Sequence, residues 1–244
     1  MNASAQQDLA ITQEVDTSIK LIDAGLAAVQ SLDGANDFFH LPMLLLANGL
    51  ERLMKSVICL HELDKEGSYQ AAQKWPSGAE GHGLEKLRDY IIENCFSDEY
   101  LKLPAAVDDR NHLENDGVAS RTLRMLSEFG RKSRYFNLNV VLGRRLSCES
   151  PDHLWSEMEM DLLRLEDDWE DLLIDPHRSA DLHQRIATKI VVCIERLTRA
   201  LVRLFTLGGL GSAAKRQTGI IQSFLFLRDD QLGTRAYDPS GRGC

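Results

Sequence analysis

The sequence predicts an all-α protein, a helical bundle extended by a long antiparallel helical hairpin, and three observations support this class. Apolar residues recur at helical spacings of three, four or seven positions along nearly the whole chain. No segment shows the strict alternation of apolar and polar residues that is typical of a strand. Of the 244 residues, 43% are hydrophobic and 27% are charged, which is the balance of an ordinary globular protein. We therefore expect amphipathic helices around one continuous core.

Four helices are predicted in the first half of the chain. Their expected positions are residues 6–32, Pro42 to about Leu63, roughly 83–96, and a segment that begins near Val118. Pro42 suits the first turn of a helix, because the backbone N–H groups of that turn have no hydrogen-bond acceptor within the helix, so the missing N–H of proline costs nothing there. The stretches 66–82 and 97–117 are predicted to be irregular, since polar, glycine and proline residues interrupt the apolar pattern there.

An acidic helix is predicted over residues 152–175. Ser150-Pro151-Asp152 is a typical start signal, and Asp175-Pro176 is a typical stop signal. The segment carries ten acidic residues and one basic residue, Arg164. Its apolar residues follow a heptad-like spacing, which favours packing against a partner helix. These residues are Trp155, Met158, Leu162, Leu165, Trp169 and Leu172.

A basic helix is predicted next, over about 178–207, and a short apolar helix over about 212–227. The cations of the basic helix recur at helical spacing and form one stripe. They are Arg178, Arg185, Lys189, Arg196, Arg199 and Arg203. This stripe could hold a phosphate backbone, or it could pair with the preceding acidic helix across a short turn. We favour pairing, since opposite charges beside an apolar seam set the register of two helices.

The chain divides by composition into four segments. They are an N-terminal helix (1–35), a core (36–143), the acidic–basic hairpin with the last helix (144–227), and a polar tail (228–244). We expect the first three to pack together as one domain.

Charge and cysteine usage exclude several functions. The formal net charge of −9 argues against a surface uniformly adapted to nucleic acid. No apolar run is long enough to cross a bilayer, and the first residues lack a signal-peptide pattern, so no membrane partner is expected. The five cysteines are scattered, which indicates reduced thiols and a cytoplasmic location. No metal or cofactor motif is present, and we expect neither group.

Two short motifs are similar to those of the HEPN superfamily. The first is Gly49-Leu-Glu-Arg-Leu-Met-Lys55 inside a helix, and the second is Gly81-His-Gly-Leu84 at a helix start. In that family a Leu-Glu-x-x-x-Lys helix precedes a Gly-His-x-Leu helix. The segment Arg134-Tyr-Phe-Asn-Leu138 also resembles an Arg-Tyr-x-Asn-Leu element of uncharacterised bacterial members. The resemblance covers roughly residues 36–143.

The resemblance implies an all-helical homodimer of a bacterial defence or toxin-type system, with an antitoxin or other protein as a further partner. Many HEPN proteins are metal-independent ribonucleases that use an Arg followed by a His. In this sequence that pair is Arg178 and His183, although Ser179 stands where the family usually has Asn, Asp or His. Arg185, Lys189 and Arg196 would then contact RNA phosphates.

The alternative function is a non-catalytic interaction module that dimerises or holds a partner protein. Other HEPN members lack the Arg–His pair and act in this way. His82, Arg134, Tyr135 and Asn137 could then form a partner or ligand pocket. For His82 we favour a structural role, in which it satisfies a free backbone group at its helix start. For Tyr135 a structural role as a core aromatic is equally open.

Overall fold

The computed structural model describes residues 3–33, 35–74 and 83–238, and within these ranges it contains eleven α-helices and no strand. The all-α prediction is therefore confirmed. The helices are α1 (Ala3–Gln30), α2 (His40–Glu66), α3 (Leu84–Asn94), α4 (Pro104–Asn115), α5 (Gly117–Arg131), α6 (Phe136–Val141), α7 (Pro151–Leu163), α8 (Trp169–Ile174), α9 (Ser179–Thr206), α10 (Gly211–Lys215) and α11 (Thr218–Leu225).

The first three helices lie close to their predicted positions. Helix α2 ends where Gly67 takes a left-handed conformation at φ 69°, and the Gly67 N–H donates to the Leu63 carbonyl. Glycine adopts this conformation without a steric penalty, so it ends the helix efficiently. Helix α3 begins after Gly83, where the Leu84 N–H donates to Ser127 Oγ of α5 at 3.2 Å. A side chain from another helix thus caps α3.

Helices α1 and α2 pack closely along their length, and two glycines permit the close approach. A Cβ atom on Gly49 would lie 2.7 Å from Ile22 Cγ1 and 3.0 Å from the Ile22 backbone nitrogen. A Cβ atom on Gly25 would lie 2.7 Å from the side chain of Leu46. Gly49, the first residue of the HEPN-like motif, therefore has a packing role in this fold.

The prediction that 97–117 is irregular was wrong, because α4 occupies Pro104–Asn115. Pro104 stands in the first turn, where its missing N–H costs nothing. Few apolar residues mark the helix, and the buried positions include Asp109 and His112. Apolar periodicity could not reveal a helix whose buried face is partly polar.

The prediction of one acidic helix over 152–175 was also wrong. Helix α7 ends at Leu163, and α8 begins only at Trp169. Trp155 and Leu172 are buried as the heptad-like seam predicted, whereas Leu165 in the intervening turn is 55% exposed. A continuous helix would have stacked the acids of this segment at repulsive i, i+3 and i, i+4 spacings. The long antiparallel hairpin is therefore broken on its acidic side.

Helix α9 lies at the centre of the structure. It contacts α1, α2, α4, α5, α7, α8, α10 and α11. Its buried face includes Ile194, Leu197, Leu201 and Phe205, each fully buried. The predicted apolar helix over 212–227 follows as two shorter helices, α10 and α11.

The predicted polar tail, 228–244, is described as far as residue 238, and this part packs onto the bundle. The Tyr237 hydroxyl donates to Glu195 Oε1 at 2.7 Å, and the Gly233 N–H donates to Glu195 Oε2 at 2.6 Å. The Tyr237 N–H also donates to Gln30 Oε1 at 3.0 Å. A buried carboxylate on α9 therefore holds the C-terminal segment in place.

We expect Gly49→Ala to destabilise the protein by about 2 kcal/mol, because overpacking against a backbone atom outweighs the higher helix propensity of alanine. Gly130→Ala is the matched control, since its Cβ would meet Ala47 Cβ at an ordinary 3.6 Å. That change should raise the free energy of unfolding, by up to about 1 kcal/mol. Urea unfolding measures both values, and equal effects at the two positions would contradict the packing role of Gly49.

A second prediction concerns Asp23, which is 7% exposed and has a buried Oδ1 atom without a hydrogen-bond partner among the described residues. Burial raises the pKa of Asp23 to about 6, although the positive charge of Arg235 opposes the shift. The folded state then binds more protons than the unfolded state between pH about 4 and about 6. The stability of the native protein should fall as pH rises through that window.

Asp23→Asn removes this ionisation, and we expect it to stabilise the protein by about 2 kcal/mol near pH 7.5 and by little near pH 4. Urea unfolding at both pH values provides the measurement. Asp16→Asn, at an exposed position of the same helix, is the control. A variant no more stable than the native protein near pH 7.5 would contradict the cost assigned to the buried charge.

Candidate functional surfaces

The first half of the basic stripe meets a cluster of carboxylates. Arg185 Nη1 lies 2.9 Å from both Glu166 and Asp168, and Arg185 Nε lies 3.1 Å from Asp181. Lys189 Nζ is 2.7 Å from Glu166. Hydrogen bonds from Lys189 and Arg185 lower the pKa of Glu166 and keep it ionised. The turn that breaks the acidic helix therefore supplies the counter-charges for this part of α9.

The second half of the stripe pairs with carboxylates from other parts of the chain. The pairs are Arg196 with Asp116 at 3.8 Å, Arg199 with Asp229 at 2.7 Å, and Arg203 with Asp109 at 2.9 Å. Burial raises the pKa of Asp109, while the nearby guanidinium of Arg203 opposes that shift. These pairs connect α9 to α4, to the start of α5 and to the C-terminal segment. The six cations of the stripe thus all lie in ion pairs.

Arg178 and His183 take different partners. Arg178 Nη2 is 2.7 Å from Asp168 and 3.1 Å from Asp181, and these two carboxylates raise the pKa of the guanidinium. His183 Nδ1 lies 2.6 Å from the carbonyl oxygen of Ser179, one turn earlier in α9. The two residues begin the same helix but are held separately.

The charged residues of the Leu-Glu-x-x-x-Lys motif lie on one side of α2, beside a groove of about 600 Å³. Lys55 Nζ is 2.5 Å from Glu51 Oε1, and Arg52 Nη1 is 2.5 Å from Glu14 of α1. Arg134 lines the same groove. The Lys55–Glu51 pair therefore lies within α2, and the Arg52–Glu14 pair connects α2 to α1.

The predicted partner or ligand pocket is brought together only in part. His82 lies outside the described residues. Arg134 lines the groove beside α2, whereas Tyr135 is 56% exposed and Asn137 is exposed, and neither lines the groove. The Arg134 guanidinium lies 5.2 Å from the centroid of the Tyr135 ring, within cation–π range. Tyr135 is thus a surface residue rather than a core aromatic.

The segment 131–146 forms a surface that the apolar periodicity did not reveal, which we call the basic–apolar surface. Helix α6 has no buried residue, and Val141 is 80% exposed. The sequence holds no acidic residue between Glu128 and Glu149. The surface comprises the cations Arg131, Lys132, Arg134, Arg144 and Arg145 and the exposed apolar residues Tyr135, Leu138, Val140, Val141, Leu142 and Leu146. The run of five cations without an acidic residue was visible in the sequence and could have identified this surface.

One group of side chains in the described residues could hold a metal ion. The ligand atoms of Glu149, His153 and Glu157 lie within 4.8 Å of one another at the start of α7. All three residues are exposed, and His153 Nε2 already lies 3.4 Å from Glu157. Such exposed groups commonly occur without a metal, because no second shell of hydrogen bonds orients them.

No family model, no curated protein and no solved structure matches this chain. Among the described residues, no helix is both long enough and apolar enough to span a bilayer. The chemistry of the surfaces described above is therefore the basis for the function proposed below.

Arg185→Met should lower the thermal unfolding midpoint at low salt, because it removes the cation that Glu166, Asp168 and Asp181 share and leaves only Lys189 and Arg178 to offset the repulsion among these carboxylates. The loss should shrink at about 1 M NaCl, where screening acts over about 3 Å. Arg164→Met is the matched control, since Arg164 is 61% exposed and makes one 3.5 Å contact. If both variants melted alike at low salt, the cluster around Arg185 would have no special stabilising role.

Proposed function

We propose that this protein is a non-catalytic helical interaction module and that the basic–apolar surface binds a partner protein. The observation that carries this proposal is the combination of five cations with a strip of exposed aliphatic side chains. Monomeric proteins rarely leave such patches uncovered, and large exposed apolar patches often mark interaction sites. The family resemblance is compatible with this role, since other HEPN members act as accessory modules.

The apolar part of the surface favours a protein partner. Leu138 and Val141 stand at i and i+3 of α6 and share one face of that helix, and Leu142 follows directly at its C-terminal cap. Their exposed fractions are 58%, 80% and 60%. Aliphatic side chains in the centre and charged residues around them are the usual anatomy of a protein interface. Recognition of single-stranded RNA relies instead on aromatic stacking and phosphate contacts.

The cations of the surface favour an acidic partner. Arg131 and Arg145 form no ion pair within the described residues, and Lys132 has only a 3.4 Å contact with Glu128. Arg144 Nη1 donates to Asn139 Oδ1 at 3.3 Å, which leaves its charge uncompensated. The six cations of the basic stripe, by contrast, already lie in ion pairs. The capacity to attract an acidic molecule therefore lies in the segment 131–146.

RNA binding is the second candidate, and the exposed Tyr135 favours it. Its ring could stack on a base while Arg131, Arg144 and Arg145 hold phosphates. In the catalytic form of this hypothesis, Arg178 and His183 would cleave RNA without metal, as the HEPN resemblance implies. The carboxylates around Arg178 would have to be displaced before a phosphate could bind there.

We expect a photo-crosslinking amino acid at the position of Val141 to capture protein in cells of the native host. The reason is that Val141 stands in the most exposed part of the apolar strip. The adducts should be digested by protease and resist ribonuclease. A crosslinker at the position of Phe226, which is 69% exposed elsewhere in the chain, is the matched control and should capture far less.

Three results would contradict the proposed function. Adducts that ribonuclease removes would identify RNA as the ligand of this surface. Cleavage of RNA by the purified protein in EDTA, abolished by His183→Ala, would make the protein a nuclease. Equal capture at the positions of Val141 and Phe226 would show that the surface has no binding role.

A further inference from the structure

We propose that the groove beside α2 binds a small organic anion with an apolar body, such as a fatty acid or an aromatic sulfonate. This inference goes beyond the proposed function, because it assigns a small-molecule site and requires no protein partner. The groove is lined by α1, by α2 and by the end of α5 with the turn that follows it. Its volume of about 600 Å³ lies within the range of small-molecule sites, which is about 300–1,000 Å³.

The base of the groove is apolar. Ile11 of α1 and Ala47 of α2 line it and are only 8% and 6% exposed. Gly130 of α5 also lines it, and a Cβ atom on Gly130 would lie 3.6 Å from Ala47 Cβ. The missing side chain of Gly130 therefore keeps this part of the groove open. An apolar group that enters here is removed from water, which favours binding.

The charged residues of the groove leave an excess of positive charge. Its described lining residues include five cations and two carboxylates. Both carboxylates are already paired, Glu51 with Lys55 and Glu14 with Arg52. The three cations that remain are Arg131, Lys132 and Arg134.

These three cations have little compensation within the chain. Arg131 and Arg134 form no ion pair among the described residues, and the Arg134 guanidinium lies 5.2 Å from the centroid of the Tyr135 ring. Lys132 has one contact, at 3.4 Å, with Glu128, which does not line the groove. A guanidinium presents its N–H donors in a fixed fork that suits the oxygens of a carboxylate or a similar anion. An anionic group is therefore the complement of this side of the groove.

The apolar base and the cations adjoin each other, which defines the class of ligand. Gly130 at the base is followed directly in sequence by Arg131 and Lys132. Small-molecule sites usually combine an apolar lining with a few placed polar groups that orient the ligand. Inorganic phosphate would gain nothing from the apolar base, and a neutral apolar molecule would gain nothing from the cations. A ligand that carries both parts uses the whole groove.

The test is a fluorescence titration of the full chain with anilinonaphthalene sulfonate, an aromatic sulfonate whose emission rises in an apolar site. We expect saturable binding. Phenylnaphthylamine has the same rings without the sulfonate and should bind at least about tenfold more weakly, since a hydrogen bond to a charged group is worth at least that factor. Dodecanoate should displace the sulfonate, whereas dodecanol at the same concentration should not.

Two glycine variants test the location of the site. Gly130→Leu should weaken binding of the sulfonate at least about tenfold, because the new side chain occupies the base of the groove. Gly219→Leu is the matched control, since position 219 does not line the groove and an added Cβ atom has open space there. Far-UV circular dichroism checks that both variants keep their helices.

Two arginine pairs test the role of charge. Arg131→Ser with Arg134→Ser should also weaken binding at least about tenfold, because the anion loses its charged donors. Arg124→Ser with Arg164→Ser is the control and should leave binding unchanged, since both arginines are exposed and neither lines this groove.

Several outcomes would overturn the inference. The first is the absence of saturable binding, and the second is an equal effect of Gly130→Leu and Gly219→Leu. Val141 does not line the groove, so loss of binding in Val141→Ser but not in Gly130→Leu would place the anion on α6 instead. Co-sedimentation of the protein with phosphatidylglycerol vesicles would make the ligand a membrane lipid rather than a free anion. Protein capture by a crosslinker at Val141 is a separate measurement, so the proposed function and this inference can fail independently.

Discussion

The burial of α9 between the other helices organises this fold. The helix contributes a long apolar face to the core, yet it also carries a row of cations along one side. A buried cation without a counter-charge is costly, and this cost falls mainly on Arg199 and Arg203, whose side chains are 7% and 19% exposed. Arg199, which is 6% exposed, illustrates this, since Asp229 and the Leu227 carbonyl both bind it. Charge pairing and core formation are therefore coupled.

That coupling also separates the charges that stabilise the fold from those that remain for binding. The acidic turn after α7 commits Glu166 and Asp168 to the basic stripe and leaves Asp167 exposed. Among the described residues, Lys132 is the one cation of segment 131–146 that forms an ion pair, with Glu128 at 3.4 Å. An acidic chain overall can thus present one strongly basic surface, because its net charge says nothing about where individual charges lie.

The motif helices show how a short sequence resemblance and a physical role can differ. Gly49 permits the close packing of α1 and α2, and the Glu51–Lys55 pair borders a groove at their surface. At the start of α3, Ser127 of another helix provides the capping group. Each of these roles follows from the packing of this bundle, and the HEPN relationship remains a proposal beside them.

Apolar periodicity in the sequence was enough to predict the helical class and the positions of α1, α2, α3 and α9, because it is a local property that burial then satisfies. It did not reveal α4 or the break between α7 and α8, where buried acids and mutual repulsion override that pattern. Which carboxylate pairs with which cation depends on the tertiary fold. Arg203 and Asp109, for example, are 94 residues apart in sequence. A row of arginines can bind phosphates as well as aspartates, so the sequence pattern does not distinguish the two. Folding brings the acids to that stripe and leaves the cations of 131–146 at the surface.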